Sequence, residues 1–287
     1  MKTSTEIASF AKIVGEEKAV EMVAKAGFDH WDFSMFEMAR YNKETGGIRE
    51  TGHPLQSSGR LAFARRLKQI GLDCGITCNQ AHAPFPVRIP AILDAQKYAL
   101  ECAAEAGAKI CVIHPDNFKS PEQNAEMFFD LLPFAKGCGV KIATENMWNW
   151  DKEKNEALPA ACSDAKNFLE HINAVNDDYL VACLDIGHAE MRGLNTSAVE
   201  CILTLGKHLQ ALHLHDNDKW HDSHALPFTM DIDFEPIVKA LKEIDYKGEF
   251  TLEADRHIGD RAPEDVFSGV CEMAKATRKL ADMFEAL

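Results

Sequence analysis

The sequence predicts an α/β fold, a single (β/α)8 TIM barrel over residues 1–287, with its active site at the C-terminal face of the strands. Three observations point there. Short apolar runs, too short for helices, alternate with stretches of helical period along the chain. About eight such strand–helix units follow one another, close to the roughly 250 residues of a barrel with its loops. No GxGxxG turn follows the first apolar run, as a doubly wound nucleotide-binding sheet would have, and no Pro-, Gly- or Ser-rich linker divides the chain.

The first strand is expected near residues 5–10, the next two at 30–33 and 72–77. Later runs at 109–113, 140–143, 179–184, 209–214 and 249–252 read as strands buried on both faces, as parallel sheets require. Between them, Ile92, Leu93, Gln96, Ala99, Leu100 and Ala103 follow the 3.6 period, and Gly107 sits where that helix would stop. Ser120-Pro121-Glu122-Gln123 reads as a capping box with proline in the first turn, and Lys136-Gly137 marks the expected end of its helix. Gly27 and Gly71 are expected to close helices just before strands. Strand, helix and strand in repetition imply right-handed crossovers.

Composition narrows the function. Hydrophobic residues at 46% and charged residues at 26% describe a soluble globular chain. No apolar stretch approaches the roughly 18 residues needed to span a bilayer, and the N-terminal segment lacks the apolar core of a signal peptide. Nine cysteines, an odd number without a CxxC pair, fit free thiols in a reducing cytoplasm. The net charge of −14 repels a phosphate backbone, and the one basic cluster is Arg65-Arg66-Lys68 on an expected helix. Neither nucleic acid nor a membrane is therefore the expected partner.

Metal-capable side chains recur at the ends of the apolar runs. His82 follows the third, His114 ends ICVIHPD, Glu145 ends KIATEN, and Asp185 ends YLVACLDIGH with His188 three residues on. His213 and His215 end LQALHLHDND, and Glu253 ends EFTLEAD. Each interval is near one strand–helix repeat, so a barrel would gather these residues at one end. Glu145, Asp185 and Glu253, converging in one barrel mouth, would repel each other unless a cation held them. With the imidazole of His213 they make a mixed oxygen and nitrogen set suited to one Mn2+, Co2+, Mg2+ or Zn2+. No organic cofactor is called for.

Thr144-Glu145-Asn146, Leu184-Asp185-Ile186-Gly187-His188, Leu212-His213-Leu214-His215-Asp216-Asn217 and Leu252-Glu253 resemble the motif series of the xylose isomerase-like TIM barrel superfamily. The resemblance runs from Gly27-Phe28-Asp29-His30-Trp31 to Glu253. It implies a divalent-metal-dependent sugar or keto-sugar isomerase or epimerase, moving a proton next to a carbonyl through a metal-bound enediolate. The ion would be held by Glu145, Asp185, His213 and Glu253, with Glu145 and Glu253 also the acid/base pair. His188 resembles the family's substrate-binding histidine. Asp151 and Lys219 fall where epimerases carry a Glu and an Arg that contact substrate. A keto-cyclitol dehydratase needs the same proton abstraction.

The endonuclease IV branch of the same superfamily binds three zinc ions, and His82, His114, Glu145, Asp185, His188, His213, Asp222, His224 and Glu253 supply every matching ligand type. It would cleave abasic DNA. The acidic surface favours the sugar enzyme, with His82, His114 and His224 bonding to substrate. Trp148, Trp150 and Trp220, with Trp31 and Phe36, are expected in loops at the mouth, where they would stack on a sugar or form a homo-oligomer interface. No Gly-rich phosphate cradle follows the seventh or eighth strand, which leans toward an unphosphorylated substrate.

Overall fold

The computed structural model describes residues 1–259 and 261–287. The strands are β1 (Thr3–Thr5), β2 (His30–Ser34), β3 (Thr77–His82), β4 (Ile110–Val112), β5 (Lys141–Glu145), β6 (Trp148–Asp151), β7 (Glu156–Pro159), β8 (Leu180–Asp185), β9 (Leu209–His213) and β10 (Phe250–Leu252). Six pair in parallel in the order β2-β3-β4-β5-β8-β9, and β1 pairs in parallel with β10. Parallel bridges from Glu6 to Asp32 and from Leu214 to Leu252 join the two pieces, so the strands close into a barrel. Parallel neighbours need long crossovers, and helices supply them: Arg60–Asp73 leads into β3, Pro90–Ala106 into β4, and Pro121–Cys138 into β5.

Side chains alternate along a strand, and this places the chemistry. The small residues Val112, Ala143, Val181, Cys183 and Ala211 form a separate buried cluster apart from the main core. Ala143 shares a strand face with Glu145, Val181 and Cys183 with Asp185, and Ala211 with His213. A small apolar plug thus lies beneath a ring of polar side chains. The main core, with Phe128, Phe168 and Phe250 among its largest members, packs the helices on the barrel.

Several local expectations shift. Residues 5–10 are not one strand: β1 ends at Thr5 and a helix covers Ala8–Val14, because Ile7, Phe10 and Ala11 repeat at the helical interval and are buried together. The expected strand at 72–77 begins only at Thr77, since the preceding helix runs through Gly71 to Asp73. Gly71 is a contact residue rather than a cap, as an added Cβ would lie 2.9 Å from the indole nitrogen of Trp31. The helix expected to end at Lys136-Gly137 continues to Cys138, and Gly139 caps it with a left-handed φ of 66°. Trp31 is fully buried in the core, away from any mouth. Trp148 and Trp150 lie on the antiparallel β6–β7 hairpin rather than in an irregular loop.

Candidate metal and substrate site

Local structure fixes each side chain at the barrel mouth. His82, Glu145, Asp185 and His213 are the last residues of β3, β5, β8 and β9, and Glu253 follows β10 directly. The side-chain amide of Asn146 donates to the Asp185 carbonyl at 2.9 Å and its oxygen accepts the Asp185 N–H at 2.8 Å, clamping two strand ends together. The Asp185 carboxylate caps the short helix Ile186–Ala189 by accepting the His188 N–H at 2.8 Å. Gly187 lies against the His215 ring where a Cβ would collide with it, so the Leu-Asp-Ile-Gly-His motif needs glycine there. Asp216 accepts the N–H groups of Asn217, Thr229, Met230 and Ile232 at 2.9 to 3.0 Å, shaping the loop that carries Asp222 and His224.

The donor atoms of Glu145, Asp185, His213 and Glu253 lie within 4.8 Å of one another. His213 Nδ1 is 3.1 Å from both Glu145 Oε1 and Glu253 Oε2. One imidazole cannot neutralise three carboxylates, and Glu145 Oε2 and Asp185 Oδ2 are buried without a hydrogen-bond donor among the described residues. Those are the requirements a divalent cation meets. Behind the set, Asp32 Oδ2 stands 3.9 Å from His213 Nε2 and accepts the Gln80 amide at 2.8 Å.

Two further groups adjoin it. His82, His114 and Glu145 form one, with His114 Nε2 3.0 Å from Glu145 Oε2 and 3.1 Å from His82 Nε2. His188, His215, Asp222 and His224 form the other. Because a main-chain carbonyl only accepts, the Nδ1 atoms that meet one must carry the proton. His82 gives its Nδ1–H to the Ala83 carbonyl at 2.9 Å, His188 to Asn146 at 2.8 Å, and His224 to Glu253 at 2.8 Å. Each Nε2 then points a lone pair at a carboxylate: His188 at Asp222 Oδ2 across 3.3 Å, His224 at Asp222 Oδ1 across 3.1 Å. An acceptor facing an acceptor needs a second ring proton or a cation.

The electrostatics agree. Burial would lower His188, but Asp185 and Asp222 push it up to about 10. Burial likewise opposes the charge on His224, yet Asp222 holds its pKa well above the usual histidine value. Burial would raise the carboxyls of Glu145 and Glu253, but His213 beside both holds Glu145 well below the usual range and Glu253 at about 2.

Above this floor is a cavity of about 290 Å³. Its apolar wall is Phe85, Val87, Met147 and Trp148, and its rim carries Arg88 and Asn117. Of the site residues expected from sequence, His82, His114, Glu145, Trp148, His188, His224 and Glu253 line the cavity, with Asp185 and His213 at its base. Asp151 and Lys219 do not join them. The Asp151 carboxylate caps its own hairpin turn through the N–H groups of Glu153 and Lys154, and Lys219 Nζ lies 3.5 Å from Glu190. Trp220 lies under the Arg192 guanidinium, off the cavity. Asp32, Gln80 and Arg88 belong to the site although no motif in the sequence marks them. His215 belongs to it as well, and its position two residues beyond His213 on the same strand run is the signal that points to it.

A profile of the xylose isomerase-like TIM barrel matches residues 20–285, and the chain belongs to that family. An uncharacterized protein of Methanocaldococcus jannaschii is 27% identical over 190 residues, a stretch covering 60% of this chain and 62% of that protein. Among solved structures, a D-tagatose 3-epimerase-like protein superposes with a TM-score of 0.72 at 19% identity, covering 100% of this chain and 99% of the other. A D-allulose 3-epimerase from Methylomonas sp. gives 0.71 at 16% identity, with 98% of each chain covered. At such identities these structures establish the fold. Among the described residues, no helix is long and apolar enough to cross a membrane.

Proposed function

We propose that this protein is a divalent-metal-dependent isomerase or epimerase of a sugar or keto-sugar. The observation that carries the reading is the Glu145, Asp185, His213 and Glu253 set at the base of a partly apolar cavity. These four residues would hold the ion. When bound, it would polarise the substrate's carbonyl and hydroxyl oxygens and stabilise an enediolate. Glu145 and Glu253 are the acid/base pair: both are ionised, buried and turned toward the cavity, so one takes the proton beside the carbonyl and the other returns it. His82, His114, His188 and His224 face the same space and would bind substrate hydroxyls, while Phe85 and Trp148 offer surfaces for the apolar face of a sugar. The cavity volume suits a monosaccharide, and the epimerases that share the fold act on substrates of that size. A keto-cyclitol dehydratase would use the same proton abstraction.

A second reading, zinc-dependent cleavage of abasic DNA, is favoured by the two additional histidine-rich groups. Charge distinguishes the readings. Asp222 is matched by protons on His188 or His224, whereas the three carboxylates around His213 call for one metal ion. The test is hydrogen exchange in D2O with a panel of ketoses and keto-cyclitols. Exchange at carbon next to the carbonyl, lost in Glu253→Gln, supports the isomerase. Incision of an abasic duplex without any exchange would replace it.

A further inference from the structure

We propose that Arg88 recognises an anionic substituent of the substrate, which makes the substrate an acidic sugar, either a carboxylate or a phosphate monoester. The inference rests on the isomerase reading and adds the substrate class. Among the residues lining the cavity Arg88 is the one lysine or arginine; the rest are apolar, histidine, amide or acidic. Five other arginines pair with carboxylates, Arg40 with Glu37, Arg65 with Glu105, Arg66 with Glu17, Arg261 with Glu272 and Arg278 with Asp29, while Arg49, Arg60, Arg192 and Arg256 have no carboxylate partner among the described residues and lie off the cavity. Arg88 has no carboxylate partner among the described residues and rests over the Phe118 ring, 5.7 Å from its centroid. The nearest acid in sequence on the same rim, Asp116, is committed to the Phe118 N–H at 3.1 Å.

The segment that carries Arg88 is anchored on both sides. Phe85 stacks on the His114 ring with centroids 4.6 Å apart, Val87 is buried, and the Ile89 N–H donates to the Pro86 carbonyl at 3.2 Å. The loop fixes where the Arg88 side chain leaves the backbone, and its planar guanidinium fork matches either oxyanion. The absence of a Gly-rich main-chain cradle is then no obstacle, because a side chain provides the recognition. With the reacting carbons over Glu145 and Glu253, the anionic group of the substrate points to the rim.

The test uses the full-length, Mn2+-loaded chain with three probes: D-fructose, D-fructuronate and D-fructose 6-phosphate. Solvent exchange gives kcat/KM for each, and calorimetry on the metal-free chain gives the same ratios as affinities. At least one charged probe is expected to exceed D-fructose by about 10- to 100-fold, the range of a charged hydrogen-bonded pair. Which of the two is preferred identifies the oxyanion. Arg88→Met should collapse that ratio and Arg88→Lys should retain part of it. A ratio near one in the unaltered protein, or one that Arg88→Met leaves intact, overturns the inference and spares the isomerase. No exchange with any member of the wider ketose and keto-cyclitol panel overturns both.

Discussion

The two ends of the barrel treat buried polar groups in opposite ways. In the lower half, Ser4 Oγ donates to Asn79 Oδ1 at 2.7 Å, Asn79 Nδ2 donates to Thr251 Oγ1 at 3.0 Å, and Lys141 Nζ donates to Gln210 Oε1 at 3.0 Å. Donors meet acceptors in these pairs, although His30 Nε2 and Trp31 Nε1 have no hydrogen-bond partner among the described residues. At the mouth, the Nε2 atoms of His188 and His224 face Asp222, and Glu145, Asp185 and Glu253 crowd one imidazole. A satisfied network holds a structure together, whereas the three carboxylates around His213, left short of positive charge, fit a site kept for a ligand.

Substitutions at the two ends should therefore separate activity from stability. The largest effect expected is in Glu253→Gln, a fall in kcat of roughly 10²- to 10⁴-fold with the thermal midpoint of the metal-free chain unchanged or higher. Steady-state exchange kinetics and a melting curve read both. Next comes pH. Glu6, directly after β1, settles its burial by keeping a proton: burial pushes it up to about 8, against hydrogen bonds from Ser9. The unfolded chain gives up that proton near the ordinary glutamate value of 4.5, so the folded form binds more protons between the two values. Stability should fall as pH rises through that window and level off above it, a total of a few kcal/mol at about 1.4 kcal/mol for each pH unit crossed. Glu6→Gln should flatten the dependence in denaturant titrations at about pH 5 and pH 8.

Metal removal sharpens the contrast from the other side. Chelation should lower stability by about 3 kcal/mol if the ion is present at roughly a hundred times its dissociation constant. Asp32→Asn, which weakens the partner of His213 Nε2, should cost about 10- to 100-fold in metal affinity by calorimetry. The smallest effect is at the lower end. Asn79→Ala strands Ser4 and Thr251 and should cost about 1 to 2 kcal/mol, leaving metal affinity as it was.

Much of the architecture is legible in the sequence because parallel strands write themselves as apolar runs and each ends on a polar residue. Glu145, Asp185, His213 and Glu253 announce themselves that way. Asp32 and Gln80 do not, since they lie inside strands and only the closed barrel turns them toward His213. Arg88 lies two residues after a proline in a short loop, and nothing local says that it faces a cavity. Asp151 and Lys219 match the motif series by position alone, and the hairpin turn and Glu190 engage them instead. The strand expected at 72–77 starts later because Gly71 reads as a helix stop, while its actual duty is to let Trp31 pack close.

Metal content, measured by mass spectrometry on chain purified without chelator or a metal-binding tag, tests the central claim most directly. About one divalent ion per chain is expected, lost in the Glu145, Asp185 and Glu253 variants. Close to three zinc ions would shift the reading to phosphodiester cleavage. A chain that takes up no ion would contradict it.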